Sequence, residues 1–251
     1  MWRWRWWHRF LPAWKNENLD IKPLIFIGFM LIVLILYYII PIYYGFYDMK
    51  QNSDNNLFEI ASSQQGYFSS AQAIESGYKD SNHAYHVKRG NWIREIRGVY
   101  RLSKFPETSE GQYAIWSLWS RDRKGNIQGV YSHETALSIY DVSDIMPSKL
   151  HMTVPKSFRR GTKISEVLVL HKANLSKEDL MQKQGYLVTS PFRTILDVVT
   201  DGTLEESIIQ QAVSQFRSKG MILKKQIYQI IEQHPKSARY FIDSEQKVGG
   251  A

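Results

Sequence analysis

Between residues 79 and 104 the sequence sets seven cations, Lys79, Lys88, Arg89, Arg94, Arg97, Arg101 and Lys104, against two carboxylates, Asp80 and Glu95, a local balance of 7 − 2 = +5. Side chains that can hydrogen-bond a base edge, Ser81, Asn82 and Tyr85, are interleaved with them. Cations neutralise phosphates without regard to sequence, whereas amides and hydroxyls tell base pairs apart by their donors and acceptors, so the stretch carries the chemistry of duplex recognition. Ser81, Asn82 and Tyr85 are expected to face bases. Lys79, Lys88, Arg89, Arg94 and Arg97 are expected on phosphate or, at a hairpin tip, in the minor groove. The whole chain of 251 residues leans the same way, with 32 Lys and Arg against 24 Asp and Glu and a net charge of +8, which favours polyanionic partners.

A second group that could do chemistry is Ser132-His133-Glu134: hydroxyl, imidazole and carboxylate in a row. Neighbours at the start of a helix diverge around its axis, so a relay through them is not expected. The expected role is structural, with Ser132 as the N-cap and Glu134 near the positive helix end. One His–Glu pair falls short of a metal site. The absence of cysteine removes disulfides, thiolate zinc centres and a cysteine nucleophile, and no Gly-rich phosphate cradle is found. Neither a catalytic residue, a metal ligand nor a cofactor is therefore expected; a nucleic-acid-modifying enzyme with a catalytic C-terminal half is the alternative. Lys156, Arg159, Arg160 and Lys163 form one more basic cluster, either a solvated turn or a surface for a partner or a second stretch of nucleic acid.

The elements that must position these groups are legible from periodicity and stop signals. Leu57, Ile60 and Ala61 recur at helical spacing after a polar run, predicting a helix that begins near Ser53 and ends near Gly66. Ser69 or Ser70 caps a short helix stopping at Gly77, and Asp80 or Ser81 opens a third that closes at Gly90. Trp92–Ile96 and Val99–Leu102 read as strands joined across Arg97-Gly98. Helix, helix, helix, hairpin is the order of a winged helix-turn-helix, assigned to residues 53–105. Residues 107–240 read as a mixed α/β domain, with helices at Gly111–Trp119, after Ser132, after Ser190-Pro191 and over Leu204–Ser218 and Lys224–Gln233. Its strands are expected at Ile127–Tyr131, Lys149–Val154, Lys163–His171 and Tyr186–Thr189, and residues 241–251 are a tail. The fold class is α+β.

The first 48 residues differ in character. Residues 24–47 carry no charge and would span a bilayer core as a helix, so a candidate transmembrane helix precedes both domains. Arg3, Arg5, Arg9, Lys15 and Lys22 lie before it, and the positive-inside bias would then place everything after Tyr47 outside the cytoplasm, where no operator exists. A translation start at Met49 resolves the conflict, as does an inverted anchor. The first gives a cytoplasmic, nucleoid-associated protein, the second a single-pass membrane-anchored regulator that meets the membrane only through residues 24–47.

The runs Leu57-Phe58-Glu59-Ile60-Ala61, Gly66 to Ala73, Val87 to Arg94 and Arg97-Gly98-Val99-Tyr100-Arg101-Leu102 resemble the N-terminal domain of AbiEi-type antitoxins. Ser132 to Leu137, Leu150 to Pro155 and Ser190 to Asp197 resemble that family's C-terminal domain. The resemblance implies an antitoxin of a type IV toxin–antitoxin, or abortive-infection, system used in phage defence. Such a regulator represses its own operon, as a homodimer on inverted repeats of operator DNA, and opposes a nucleotidyltransferase toxin with or without touching it. His83 and His86 stand where relatives tend to carry apolar residues, so both are expected at the core or its boundary rather than on bases.

Overall fold

The computed structural model describes residues 31–161 and 163–241. The chain divides into two compact units, Met1–Asp54 and Asn55–Ala251. In the first, a π-helical turn, Ile35–Ile39, leads into helix α1, Ile40–Ser62, and Leu31, Ile32, Leu34, Ile35, Ile39 and Ile42 are exposed. The candidate membrane span starts at residue 24, outside the described residues. Among those described, no helix is long and apolar enough to cross a membrane; residues 50–56 of α1 are polar.

In the second unit α1 gives way to a left-handed turn at Gln65 (φ 57°) and Gly66 (φ 90°). Gly66 is required twice over, because its backbone is one L-residues avoid and because a Cβ there would run into the Cβ of Phe105. Strand β1, Tyr67–Ser69, follows and delivers the chain to α2, Ser70–Glu75. Ser69 caps α2 through a reciprocal bond with Gln72, the serine hydroxyl accepting from Gln72 N and Gln72 Oε1 accepting from Ser69 N. Gly77 (φ 101°) ends it. A 3₁₀ turn, Asp80–Asn82, leads into α3, His83–Lys88, and a hairpin of β2, Trp92–Ile96, and β3, Val99–Leu102, completes the set. β3 pairs with both β1 and β2, so the sheet order is β1-β3-β2, all antiparallel, with a bulge between Arg94 and Ile96.

Its core is small: Leu57, Ala61, Phe68, Ala73, Trp92 and Tyr100, with Tyr78, Val87 and Leu102 packed against it. The hairpin and the short helix after Ser69 are present as expected, whereas the helix expected to begin near Ser53 is the last part of α1, which starts at Ile40 and ends at Ser62. Strand β1 was not expected, and what was read as one third helix is a 3₁₀ turn followed by α3.

Helix α4, Gly111–Trp119, joins this first lobe to a second. Ala114 and Leu118 pack on Tyr67 and Val99 of the small sheet. Tyr113 turns the other way, onto Tyr131 and Tyr186. The second lobe is built on a five-stranded sheet, ordered β6-β5-β4-β8-β7, from β4 (Val130–Tyr131), β5 (Leu150–Val154), β6 (Leu168–Lys172), β7 (Leu180–Lys183) and β8 (Tyr186–Thr189). β5–β6 and β4–β8 are parallel, and β4–β5 and β7–β8 antiparallel. The helices are α5 (His133–Tyr140), α6 (Pro191–Asp201), α7 (Glu206–Ser218) and α8 (Lys224–Gln233). Their buried stripes, including Leu137, Ile195, Ile209, Val213, Phe216 and Ile230, share one core with Tyr131, Met152 and Val188 of the sheet. The strands expected at Ile127–Tyr131 and Lys163–His171 are shorter than their sequence windows, and β7, with three of its four residues exposed, gave no alternation to read. The molecule is α+β.

Candidate nucleic-acid interface

Short elements place the expected base readers and phosphate contacts on the surface of the first lobe. The 3₁₀ turn carries Ser81 and Asn82, α3 carries Tyr85 and Lys88 with Arg89 as its C-cap, β2 carries Arg94, and the hairpin turn carries Arg97; these and Lys79 are all exposed. Opposite them, α3 is anchored by His83, 3% exposed, whose ring lies 5.2 Å from that of Trp92 and 5.8 Å from that of Tyr100. His86 stacks on Trp92 at 4.6 Å. Both histidines therefore sit at the core or its boundary, as their spacing in the helix requires once Tyr85, Lys88 and Arg89 face out. His83 Nδ1 comes within 3.4 Å of Asp80 Oδ1 without the alignment of a hydrogen bond, leaving both ring nitrogens unpartnered. On the outer face the Arg89 guanidinium lies 5.0 Å from the centre of the Tyr85 ring, within range of a cation–π contact.

Arg101 does not belong to this face. It is 7% exposed, its Nε donates to Glu95 Oε1 at 2.7 Å and its Nη1 to the Phe105 carbonyl at 2.7 Å. Removing the internal pair takes one cation and one anion from the earlier balance, so the outward set, Lys79, Lys88, Arg89, Arg94, Arg97 and Lys104 against Asp80, keeps 6 − 1 = +5. The positive field is unchanged, and its sources are six rather than seven.

The basic cluster of the second lobe is more self-contained. Lys156, Arg159, Arg160 and Lys163 are exposed, but Arg159 Nη1 donates to the carbonyls of Lys156 and Phe158, the Arg160 guanidinium lies 4.8 Å from a Trp119 ring, and Lys163 Nζ donates to Glu166 at 3.0 Å. Arg159, Arg160 and Lys163 are thus committed to local partners.

Ser132 and His133 are placed otherwise than expected. Ser132 precedes α5 but makes no side-chain capping bond; its hydroxyl accepts from Thr153 Oγ1 at 2.8 Å and meets His133 Nδ1 at 2.9 Å. The alignment arises because His133 adopts φ 52°, a left-handed conformation costing an L-residue roughly 1–3 kcal/mol, which turns the ring back. The hydroxyl is fully buried, closed to a substrate.

The His133 ring stacks on His171 at 3.6 Å, and His171 Nε2 lies 3.1 Å from His151 Nδ1. Glu134 Oε2 is 3.8 Å from His151 Nε2. This cluster of three imidazoles, drawn from α5, β5 and β6, was not seen in the sequence because β5 and β6 pair only in the fold. Among the described residues no group of three or more such side chains converges as a metal site.

Burial, helped by His171, pushes His133 down from 6.5 to about 3. Burial also lowers His151, against Glu134 and Asp201, and lowers His171, helped by His151. A histidine kept neutral by the fold binds fewer protons than it does unfolded, so the stability it contributes is complete above pH 6.5 and is lost as the pH falls towards 3. Asp197, raised by burial from 3.8 to about 6 despite its 2.8 Å bond from Arg193 Nε, works in reverse over the interval from 6 to 3.8. The two cancel where their windows overlap, which leaves His151 and His171 to set the slope at about 1.4 kcal/mol per pH for each uncompensated proton. Urea unfolding is expected to show lower stability at pH 5 than at pH 7, and Asp197→Asn a steeper loss; equal stability at both pH values would contradict the buried cluster.

No curated protein matches the chain. Among solved structures, the crystal structure of the RV2827C protein from Mycobacterium tuberculosis aligns with 77% of this chain and 76% of its own, at 10% identity and a TM-score of 0.49. Residues 55–103, from the last turns of α1 through the hairpin, match the model of the family described as transcriptional regulator, AbiEi antitoxin, and over that segment the chain is similar to those regulators.

Proposed function

We propose that residues 53–105 act as a winged helix-turn-helix that reads operator DNA, and that the chain is a regulator repressing its own operon as the antitoxin of a type IV toxin–antitoxin system. The observation carrying this reading is the two-sided α3: His83 and His86 fix it on Trp92, while Ser81, Asn82, Tyr85, Lys88 and Arg89 stand exposed. In this arrangement the 3₁₀ turn and α3 enter the major groove, and Arg94 and Arg97 on the hairpin hold phosphate or the minor groove. The second lobe, residues 107–240, serves as the neutralising module against a nucleotidyltransferase toxin. Two copies on an inverted repeat would suit a reader this small. No step of this function calls on a cofactor.

The test is binding to a duplex carrying the protein's own promoter, measured over a range of salt. Lys88→Ala is expected to weaken all duplexes about equally and to reduce the salt slope by roughly one, whereas Asn82→Ala is expected to relax base preference at roughly unchanged slope. Salt-insensitive binding, or binding that neither variant alters, would refute the reading.

A further inference from the structure

Two buried amides of the first lobe lie where the second lobe meets it. Gln64 and Gln72 are 6% and 8% exposed and bond to each other both ways, Gln64 Nε2 donating to Gln72 Oε1 at 3.3 Å and Gln72 Nε2 to Gln64 Oε1 at 3.1 Å. Such a pair is nearly symmetric: flipping both amides together preserves their mutual bonds. Their outer partners are not symmetric. Gln72 Oε1 also accepts from Ser69 N at 2.9 Å, the bond that caps α2. In the flipped state an amide NH₂ would face that N–H, donor against donor, and the cap would be lost.

Within the first lobe Gln64 Nε2 also donates to the Tyr67 and Ile60 carbonyls, at 3.2 and 3.3 Å, and one further bond on the same amide comes from beyond that lobe. Arg121, in the loop after α4, donates from Nη2 to Gln64 Oε1 at 3.1 Å, and a guanidinium has no acceptor with which to tolerate a flipped amide. Arg121 is held there at a cost, since its Nε is buried without a partner and burial lowers the guanidinium pKa, opposed by Glu75. The neighbouring backbone is fixed to the second lobe as well. Gln184 Nε2 donates to the Ser62 carbonyl, and Gln65 Nε2 to the Gln184 carbonyl, both at 3.0 Å. The hairpin turn at Gly185 passes so close to Gln64 that a Cβ on Gly185 would lie 3.0 Å from the Gln64 Cα.

We propose that Arg121 is a positioning residue for DNA reading: by adding a bond from the second lobe to the Gln64–Gln72 amides it reinforces the cap of α2, the helix that leads through the 3₁₀ turn into α3. The proposal rests on the operator-reading function above. It makes the second lobe part of the reading apparatus without any contact between that lobe and DNA.

The test uses the full chain with Arg121→Met, which keeps the length of the side chain and removes its donors. Binding to the promoter duplex is expected to weaken by roughly three- to thirtyfold, the range of coupling through a packed network, with the salt slope unchanged because no phosphate contact is lost. Amide exchange at Ser76 and Gly77, whose N–H groups bond back to Gln72 and Ile74, is expected to accelerate. Arg121→Lys, which can still donate one bond, should recover part of both effects. Adding Gln64→Ala to Arg121→Met should cost less than the two single changes summed. Unaltered exchange would overturn the proposal, whether affinity holds or falls; a fall with the slope reduced by about one would make Arg121 a phosphate contact instead. The exchange measurement needs no DNA, so a parent protein that ignored its promoter would sink the operator reading and leave the network to be judged on its own.

Discussion

Trp92→Ala is expected to unfold the first lobe and abolish duplex binding at temperatures where the parent protein is folded. The indole is 3% exposed and is the one ring that meets Phe68, Tyr78, His83, His86 and Tyr100, at centroid distances of 5.0, 5.0, 5.2, 4.6 and 5.7 Å. Truncating a buried Trp to Ala costs roughly 3–5 kcal/mol. A whole domain is commonly stable by only about 5–15 kcal/mol, and without Trp92 this core keeps five buried residues, Leu57, Ala61, Phe68, Ala73 and Tyr100, with which to absorb the loss. The cost also falls where function is proposed, since His83 and His86 use that ring to seat α3. Trp92→Phe keeps an aromatic face and should cost far less. A denaturant titration showing Trp92→Ala within about 0.5 kcal/mol of the parent, the range of an ordinary surface change, would mean that α3 is anchored elsewhere.

The first lobe was readable in the sequence where short-range rules decide. Gly77 and Gly90 stop helices because they take up positive φ (101° and 74°), and Ser69 caps α2 with Gln72 three residues on, both signals local to a few residues. The hairpin carried its turn at Arg97-Gly98. Strand β1 escaped because all three of its residues are buried, so it has no alternation, and its existence depends on β3, 30 to 34 residues away. Ser132 and His133 were misread for a different reason. Left-handed backbone is expected at glycine, and nothing in the row Ser132-His133-Glu134 announces that the histidine will adopt it and turn its ring onto the preceding hydroxyl.

The imidazole cluster and the amide bridge share a further property: each joins residues from separate elements. His151 and His171 become neighbours through the parallel pairing of β5 and β6, in which Thr153 lies opposite His171. Gln64 meets Arg121 through the packing of α4 on β1 and β3. Periodicity locates elements and says which face is wet. It is silent on which polar residue of one element will satisfy another, because that is fixed by packing that forms last. The exposed candidates Ser81, Asn82, Tyr85 and Lys88 were accessible to sequence reasoning because facing solvent requires no partner.

Arg101→Met is expected to destabilise the first lobe by roughly 3 kcal/mol, near the lower end for breaking a buried ion pair because Glu95 retains some solvent. Glu95 is 19% exposed and loses its 2.7 Å partner, the Phe105 carbonyl loses its donor, and Glu107, 3.9 Å from Arg101 and 81% exposed, loses little because water solvates it. Were Arg101 a phosphate contact instead, its loss would weaken DNA binding with little change in stability. The bulge in β2 decides between them. By breaking the register between Arg94 and Ile96 it frees Glu95 from strict alternation, and the carboxylate reaches Arg101 while Arg94 remains exposed. Denaturant titration with the salt dependence of duplex binding separates the outcomes. An internal pair gives a large stability loss, a parent-like salt slope under conditions where the variant is folded, and a double variant with Glu95→Gln that costs less than the sum of the two. Parent-like stability with a slope reduced by about one would place Arg101 on the DNA face.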